Sequence, residues 1–270
     1  MDRIIAVNSN CYHGYIIEEA LEGIKEAGFR YIELTATKGW TEHVFPDQSF
    51  EYLSSLKDKM KRMGITPFSL SGHCNLMDKD RVKDFILNIK LAAFFQCDFI
   101  ISSVGEAHLE DKEKSSNVVL VENVKTLIPY LEEYHMKLVL EAHGEHSTGK
   151  ILKGIVNLID SNRVKINYDS ANVIFYGGVD PCEDMETCIE DIGYMHIKDK
   201  DGEVKEWNFP ALGRGKIDFP CIINKLNKAE NYCPLSIEIE FTPEGPKDLK
   251  EVNDAVKESA EYLKRLGVTL

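Results

Sequence analysis

Residues 137–170 read KLVLEAHGEHSTGKILKGIVNLIDSNRVKINYDS, and this stretch contains the unit on which the fold prediction rests. It begins with the apolar-rich segment KLVLEAH (137–143), continues through an amphipathic segment at 150–161, and ends with a second apolar-rich segment, VKINYDS (164–170). Apolar residues at helical spacing predict a helix, and short apolar runs that end in polar residues predict buried strands. The stretch therefore predicts a strand, a helix and a second strand in succession.

The same unit recurs along the whole chain. Apolar runs predict eight strands, at 4–9, 31–37, 65–73, 99–105, 137–143, 164–170, 194–199 and 234–241. Amphipathic segments predict eight helices, at 15–28, 48–63, 79–96, 116–135, 150–161, 181–191, 218–231 and 247–266. Strict alternation implies a parallel sheet, eight units favour a closed barrel, and no glycine-rich nucleotide-binding motif follows a strand. We therefore predict an α/β fold, a single (β/α)₈ barrel domain of eight parallel strands over residues 1–270.

The charge balance indicates which partners the protein lacks. The chain has 32 Lys plus Arg and 45 Asp plus Glu, for a net charge of −13 at pH 7. Nucleic-acid binding depends on an excess of Lys and Arg at phosphates, so we expect no nucleic-acid partner. The same charge disfavours an anionic membrane surface, and no apolar run approaches the roughly 20 residues of a membrane span.

Cysteine usage bears on the cellular compartment. There are seven cysteines, an odd number, and no CxxC pair. The first ten residues, MDRIIAVNSN, hold too short an apolar stretch for a secretory signal peptide. Scattered cysteines of this kind are typical of free thiols in a reducing compartment. We therefore expect a cytoplasmic protein whose cysteines are unpaired.

Ligand-type residues end four consecutive predicted strands. The side-chain period of two places aliphatic residues toward the helices and acids and histidines toward the barrel axis, and active sites of such barrels lie at the C-terminal strand ends. The last inward polar residues of strands five to eight are Glu141, Asp169, His196 and Glu238. Three carboxylates this close repel one another, and a divalent cation would relieve the repulsion. Glu240 shares a face with Glu238, and we prefer Glu238 because it lies at the depth of the other three.

Five further residues are candidates for substrate binding, with simple packing or solvation as the alternative for each. His73 ends strand three, His143 follows Glu141 on the same face, and Lys198 follows His196. Glu33 lies on the inward face of strand two, where it could hydrogen-bond across the barrel, and Trp40 follows that strand in a loop. The remaining histidines are background, with His108 the strongest exception.

The sequence resembles a known family in several segments. These are GFRYIEL (28–34), LEAHGEHSTG (140–149), YDSANV (168–173), MHIKDKDG (195–202) and LGRGKIDFPCIINKLNKAENYCPLSIEIE (212–240). They are similar to the xylose-isomerase-like barrel superfamily, and in particular to its sugar phosphate isomerase/epimerase group. The resemblance extends over nearly the whole chain, and the family's four metal ligands correspond to Glu141, Asp169, His196 and Glu238.

The resemblance implies an activity. Such a protein would be an isomerase or epimerase of carbohydrate metabolism, acting on a small polyhydroxylated substrate: a sugar, ketose or sugar phosphate. Glu141 and Glu238 would act as the catalytic pair, exchanging protons with the substrate through a metal-bound enediolate. The cofactor would be one divalent ion, Mn²⁺ before Co²⁺, Mg²⁺ or Zn²⁺.

Three other functions stay open at this point. Members of the same superfamily dehydrate inososes or dehydroshikimate with the same four ligands, and nothing in the sequence separates them from isomerases. Apurinic endonucleases of the superfamily use three zinc ions, and Asn172 stands where they resemble Asp-x-x-His, which disfavours a nuclease. A sugar-binding barrel without activity is disfavoured by the paired carboxylates. The substrate, the metal and the oligomeric state, a homo-oligomer included, also stay open.

Overall fold

Eight parallel strands, paired in chain order, close into a barrel in the computed structural model, which describes residues 3–105 and 116–270. The strands are β1 Ile5–Asn8, β2 Tyr31–Thr35, β3 Thr66–Ser71, β4 Phe99–Ser103, β5 Lys137–Glu141, β6 Val164–Asp169, β7 Ile192–Lys198 and β8 Leu235–Glu238. The predicted (β/α)₈ barrel is confirmed. His108 lies outside the described residues.

Helices lie between the strands, with bounds close to those predicted. They are α1 Ile17–Glu26, α2 Phe50–Met63, α3 Lys79–Phe95, α4 Asn117–Glu133, α5 Gly149–Ile159, α6 Asn172–Phe175, α7 Pro181–Asp184, α8 Phe219–Lys228 and α9 Leu249–Arg265. None of the helices in the two described ranges is both long and apolar enough to span a membrane.

The prediction of one helix over 181–191 is wrong. The chain there forms the short α7 and then a 3₁₀ turn, Met185–Thr187. Hydrogen bonds from Cys188 N–H to the Met185 carbonyl (3.1 Å) and from Asp191 N–H to the Cys188 carbonyl (2.8 Å) tighten the backbone, so it turns directly into β7. The helix α6, directly after β6, was not predicted.

Helix α2 illustrates how local sequence sets these elements. The Ser49 hydroxyl accepts a hydrogen bond from the Tyr52 N–H at the first turn, which satisfies one of the free donors there. At the other end Gly64 has φ 72°, a left-handed conformation that glycine adopts without steric cost. Leu56 and Met60, four residues apart, share the buried face that packs on the barrel.

The inside of the barrel holds a small apolar layer separate from the main core. Phe68, Ile101, Val139 and Tyr194 form it, while the aliphatic residues of the opposite strand faces pack under the helices. Val139 and Tyr194 thus face inward, as the period of two predicts. Polar residues that follow on the same faces lie above this layer, toward the C-terminal ends of the strands, which is where the candidate site forms.

The expectation that all cysteines are unpaired is wrong for one pair. Cys182 on α7 and Cys221 on α8 form a disulfide with a Cα–Cα distance of 6.3 Å. The first turns of these two helices lie side by side although 39 residues separate the cysteines in the chain, so spacing alone could not suggest the pairing. The other five cysteines are free and buried: Cys11, Cys74, Cys97, Cys188 and Cys233.

A buried aspartate organises the loop between β7 and α8. The Asp199 carboxylate accepts hydrogen bonds from the backbone N–H groups of Gly213 (2.8 Å), Gly215 (2.8 Å), Ile217 (3.3 Å) and its neighbour Lys200 (2.8 Å). A Cβ on residue 215 would lie 2.3 Å from an Asp199 carboxylate oxygen, so only glycine allows the approach. These hydrogen bonds therefore join the sequence segments HIKD (196–199) and GRGKID (213–218).

We expect Asp199→Ala to lower the free energy of unfolding by roughly 3 kcal/mol, because it leaves several buried N–H groups without an acceptor. Urea unfolding followed by circular dichroism would measure this loss. Asp201→Ala is the matched control, since the Asp201 side chain is 43% exposed and its ion pair with the exposed Lys216 has an N–O distance of 3.3 Å. Equal stability of the two variants would contradict the structural role of Asp199.

Candidate metal centre

Four ligand-type side chains converge at the C-terminal mouth of the barrel. Glu141, Asp169, His196 and Glu238 each offer one ligand atom, and these atoms all lie within 4.8 Å of one another. All four residues are buried. The register explains the meeting, because β6 pairs Asp169 with His196 and β7 pairs Lys198 with Glu238. The structure thus brings together the four residues that the sequence placed at the ends of strands five to eight.

A buried glutamate, Glu33, orients the imidazole of His196. Its Nε2 lies 2.9 Å from Glu33 Oε1, and Glu33 is fully buried. Because a carboxylate only accepts hydrogen bonds, Nε2 carries a proton and the neutral ring presents the Nδ1 lone pair to the mouth. Nδ1 then faces Glu141 Oε1 at 2.6 Å and Glu238 Oε2 at 3.3 Å. A lone pair among carboxylates is unfavourable unless a cation or a proton lies between them.

Two buried atoms of the cluster support a cation. Asp169 Oδ1 accepts the backbone N–H groups of Ala171 (2.8 Å) and Asn172 (2.7 Å), which fixes the side chain. Within the described residues, Asp169 Oδ2 and His196 Nδ1 have no hydrogen-bond partner. Three carboxylates and one imidazole nitrogen are a donor set that suits a divalent ion such as Mn²⁺, Mg²⁺ or Zn²⁺. The residues present could therefore hold a divalent metal.

The charges of the cluster act strongly on one another. Burial raises the pKa of Asp169 above its usual range, and Glu141 and Glu238 add to the increase. Burial also opposes ionisation of Glu238, but Lys198 and His196 outweigh it and hold the pKa of Glu238 well below its usual range. Glu33 and Glu238 raise the pKa of His196 well above its usual range, against burial. Without a cation, a proton would lie between His196 and the carboxylates of the cluster. A bound metal ion would displace that proton.

Two amides from the end of β1 hold Glu238. Asn8 Nδ2 and Asn10 Nδ2 donate to Glu238 Oε1 at 3.2 and 3.0 Å, which leaves Oε2 on the side of His196. Asn10 Nδ2 also donates to Glu240 Oε1 (3.1 Å), and Asn10 Oδ1 accepts from Trp40 Nε1 (2.9 Å) and Thr41 Oγ1 (2.8 Å). All four hydrogen-bonding positions of the Asn10 amide are therefore occupied.

The candidate substrate residues lie around one pocket, except Glu33. A pocket of about 400 Å³ lies over the cluster, and its wall includes His73, His143, Lys198 and Trp40. Glu33 lies beneath His196 instead, where it also accepts a hydrogen bond from the Tyr194 hydroxyl at 2.9 Å. Six further wall residues had not been singled out from the sequence: Asn10, Thr35, Thr37, Ser71, Tyr176 and Trp207.

His73 and His143, in the wall of the pocket, are each held by a hydrogen bond. The Ser103 N–H donates to His73 Nδ1 at 2.8 Å, so the neutral His73 ring carries its proton on Nε2, which lies 3.8 Å from Glu141 Oε2. His143 Nε2 lies 3.2 Å from the Tyr176 hydroxyl. Burial lowers the pKa of His143 to about 4, so this ring is neutral at pH 7. His73 thus presents a hydrogen-bond donor to the pocket beside Glu141.

Lys198 and Glu240 form a charged pair on the β8 side of the pocket. Lys198 Nζ lies against Glu240 and 3.5 Å from Glu238 Oε2, with the Phe209 ring centroid 4.5 Å away. Burial and the nearby Glu238 raise the pKa of Glu240. Glu238 is the β8 residue that joins the four-residue cluster, whereas Glu240 faces the lysine.

We expect Glu33→Gln to weaken metal binding by about 10–100-fold, the usual effect of removing a carboxylate that orients a metal-binding histidine. The amide keeps the size of Glu33 but lacks the charge that holds the Nε2 proton of His196. Titration with Mn²⁺ in a calorimeter would measure the change. Tyr194→Phe is the matched control, since it removes one hydrogen bond to Glu33 and keeps the charge; an equal loss in both variants would contradict the role of that charge.

Comparison with known proteins yields a family and several similar structures. A sequence model described as xylose isomerase-like TIM barrel matches residues 21–266. An inosose dehydratase from Geobacillus kaustophilus (strain HTA426) is 29% identical over 152 residues, which cover 50% of this chain and 48% of that protein. The match thus spans about half the length of this curated relative.

Two solved structures share the whole fold at low sequence identity. The D-psicose 3-epimerase from Clostridium cellulolyticum H10, solved with D-tagatose, has a TM-score of 0.78 and 15% identity over 97% of this chain and 99% of its own. A xylose isomerase-like TIM barrel protein from Mycobacterium smegmatis, in complex with magnesium, has a TM-score of 0.76 and 15% identity over 98% of this chain and 96% of its own.

Proposed function

The chain belongs to the xylose isomerase-like TIM barrel family, and from this premise we propose that it is a divalent-metal-dependent isomerase or epimerase of a small sugar, ketose or sugar phosphate. The observation that carries the proposal is the pair of glutamates in the cluster. Glu141 and Glu238 end strands β5 and β8, and both line the pocket that lies over the candidate metal ligands. Two carboxylates on either side of a bound sugar can exchange protons with its two faces.

The ligands of the ion are Glu141, Asp169, His196 and Glu238. A divalent ion bound there would polarise substrate oxygens and acidify the neighbouring C–H bond. We propose Mn²⁺, with Co²⁺, Mg²⁺ or Zn²⁺ as alternatives, since oxygen-rich ligand sets with one imidazole accept all four. Elemental analysis of the purified protein would identify the ion.

The surrounding side chains have separate roles. Glu141 takes a proton from the substrate carbon, and Glu238 serves the opposite face with its orientation held by Asn8 and Asn10. Burial opposes ionisation of Glu141, but interactions with His73 and His196 outweigh it and lower the pKa of Glu141 to about 2, so that this glutamate is ionised at pH 7. The Nε2–H of His73 donates to a substrate oxygen.

The test is solvent exchange during turnover. Metal-loaded protein would be incubated in D₂O with ketoses, ketose phosphates and inososes, and products analysed by NMR and mass spectrometry. We expect deuterium at the carbon next to the carbonyl, together with an isomer or epimer of the substrate. Turnover of a substrate without deuterium at that carbon would overturn the proton-transfer mechanism.

Dehydration is the second candidate, and the similarity to the inosose dehydratase favours it. The first step would be the same proton abstraction by Glu141. A donor near the departing hydroxyl would then complete water loss, and the Nε2–H of His73 lies beside Glu141. The two functions differ in their products, because water loss forms a conjugated carbonyl that absorbs in the ultraviolet, whereas epimerisation forms none.

A further inference from the structure

A large groove continues outward from the pocket. The empty volume is about 1840 Å³ for the groove and about 400 Å³ for the pocket, and both volumes include space open to solvent. Asn10, Trp40, Tyr176, Trp207 and Glu240 line both spaces. We call this space the outer groove; its remaining lining residues are Cys11, His13, Gly14, Tyr15, Ile239, Phe241, Thr242, Pro243, Glu244, Gly245 and Pro246. A monosaccharide bound at the carboxylates would lie at the pocket end of this space and would not extend along the outer groove.

Aromatic side chains from different loops surround the outer groove. Trp40, Tyr176, Trp207 and Phe241 follow β2, β6, β7 and β8, and each is half-buried. Neighbouring rings support them: His13 stacks on Trp40 at 4.2 Å. Trp207 meets Phe209 edge-to-face at 5.0 Å. Rings fixed in this way provide flat apolar surfaces with polar edges, which suit a bound ring that is apolar on its face and polar at its rim.

Phe241, which carries one of these rings, has a strained backbone conformation. Phe241 has φ 58°, in the left-handed region that bulky residues rarely adopt. Two hydrogen bonds maintain it: Phe209 N–H donates to the Phe241 carbonyl (2.8 Å), and Phe241 N–H donates to the Phe209 carbonyl (3.0 Å). Strained residues of this kind are concentrated at ligand-binding sites, where the surrounding structure holds them in place.

The charge of the outer groove points to an uncharged ligand. Among its described lining residues the carboxylates are Glu240, paired with Lys198, and Glu244, which accepts a hydrogen bond from Thr242 at 2.7 Å. No Lys or Arg is among these described lining residues. The described lining thus offers no Lys or Arg to a phosphate or carboxylate, and Glu244 would repel one, whereas a neutral ring would not be repelled.

We propose that the substrate has two parts: a sugar unit that binds at Glu141 and Glu238, and an uncharged ring, joined to it, that lies in the outer groove. This inference rests on the proposed isomerase or epimerase function. It follows from the continuity of the two spaces, the aromatic surfaces, the strained Phe241 and the absence of described cationic residues in the lining.

The test compares ketoses with and without the second ring. The probes are D-fructose, its 4-O- and 6-O-glucosyl derivatives, its 6-O-benzyl ether and its 6-phosphate, each with Mn²⁺-loaded protein. We expect at least one derivative with a neutral ring to exceed both D-fructose and the phosphate in kcat/KM by tenfold or more. Preference for a glucosyl group or for the benzyl group would tell whether a sugar or an aryl ring occupies the outer groove.

Two variants assign any preference to the outer groove. Phe241→Ala should lower the ratio of kcat/KM for the ring-bearing substrate to that for D-fructose at least tenfold, and His13→Ala, which removes the support of Trp40, should lower it in the same direction. Phe50→Ala is the matched control, since Phe50 is 75% exposed on α2 and lies outside the groove; its ratio should equal that of the wild type.

The outcomes separate this inference from the function on which it rests. If D-fructose is turned over as well as every derivative, or if folded Phe241→Ala and His13→Ala both keep the wild-type ratio, the two-part substrate is wrong while the isomerase or epimerase function stands. If neither these probes nor the ketoses, ketose phosphates and inososes of the solvent-exchange test are turned over, both proposals are overturned.

Discussion

Glu141→Gln and Glu238→Gln are each expected to lower kcat by about 10²–10⁴-fold, the usual contribution of a general acid–base group. The geometry supports a large loss at both positions, because each side chain contacts the site from its own strand. Glu141 Oε1 lies 2.6 Å from His196 Nδ1, and Glu238 Oε2 lies 3.3 Å from the same atom.

Substitution by glutamine distinguishes the loss of a catalytic base from the loss of the bound metal ion. Its amide oxygen can still bind a cation, so metal content would be measured alongside turnover and should stay near one equivalent. Each single variant should still exchange the substrate proton at one face only, and the double variant at neither. Near-normal turnover in both metal-loaded single variants would place the base elsewhere, at His143, His73 or a hydroxide.

Asp169→Ala is expected to abolish stoichiometric metal binding, and with it activity. Asp169 is fully buried, its Oδ1 is fixed by two backbone N–H groups, and its Oδ2 points to the other ligands without a hydrogen-bond partner among the described residues. Alanine removes the ligand and also one of three charges that attract the cation. Elemental analysis after dialysis, with the fold checked by circular dichroism, would measure the effect.

Asp184→Ala is the matched control for this variant. Asp184 also accepts a backbone N–H, that of Gly149 at 2.7 Å, and it lies outside the four-residue cluster. It should keep its metal even if it loses stability. A full equivalent of metal in Asp169→Ala would show that Asp169 is not a ligand.

The fold could be predicted because alternation is a local property. Each strand and each helix is visible within about a dozen residues, and eight such units in order leave little choice of topology. The four clustered residues were also predictable, because the period of two identifies an inward face and the barrel brings the ends of adjacent strands together. Both inferences use only the position of a residue within its own strand.

What could not be predicted depends on distances between elements. The period of two gives the face of Glu33 but not its depth, so its place beneath His196 appears only in the structure. Asn8 and Asn10 reach Glu238 through the contact that closes the barrel between β1 and β8, some 230 residues apart. The polar segment NSN at the end of the first strand was the signal that could have suggested them.

All four hydrogen-bonding positions of the Asn10 side-chain amide are occupied, and this amide connects the outer groove with the candidate metal centre. Trp40, at the edge of the outer groove, donates to the Asn10 amide oxygen, and the Asn10 amide nitrogen donates to Glu238 in the four-residue cluster. A substitution that shifts Trp40 to admit a new ligand leaves one Asn10 hydrogen bond unmade or turns the amide away from Glu238. Under the proposed function, a substitution that changes substrate selectivity at Trp40 would therefore also change turnover, through the contact of Asn10 with Glu238.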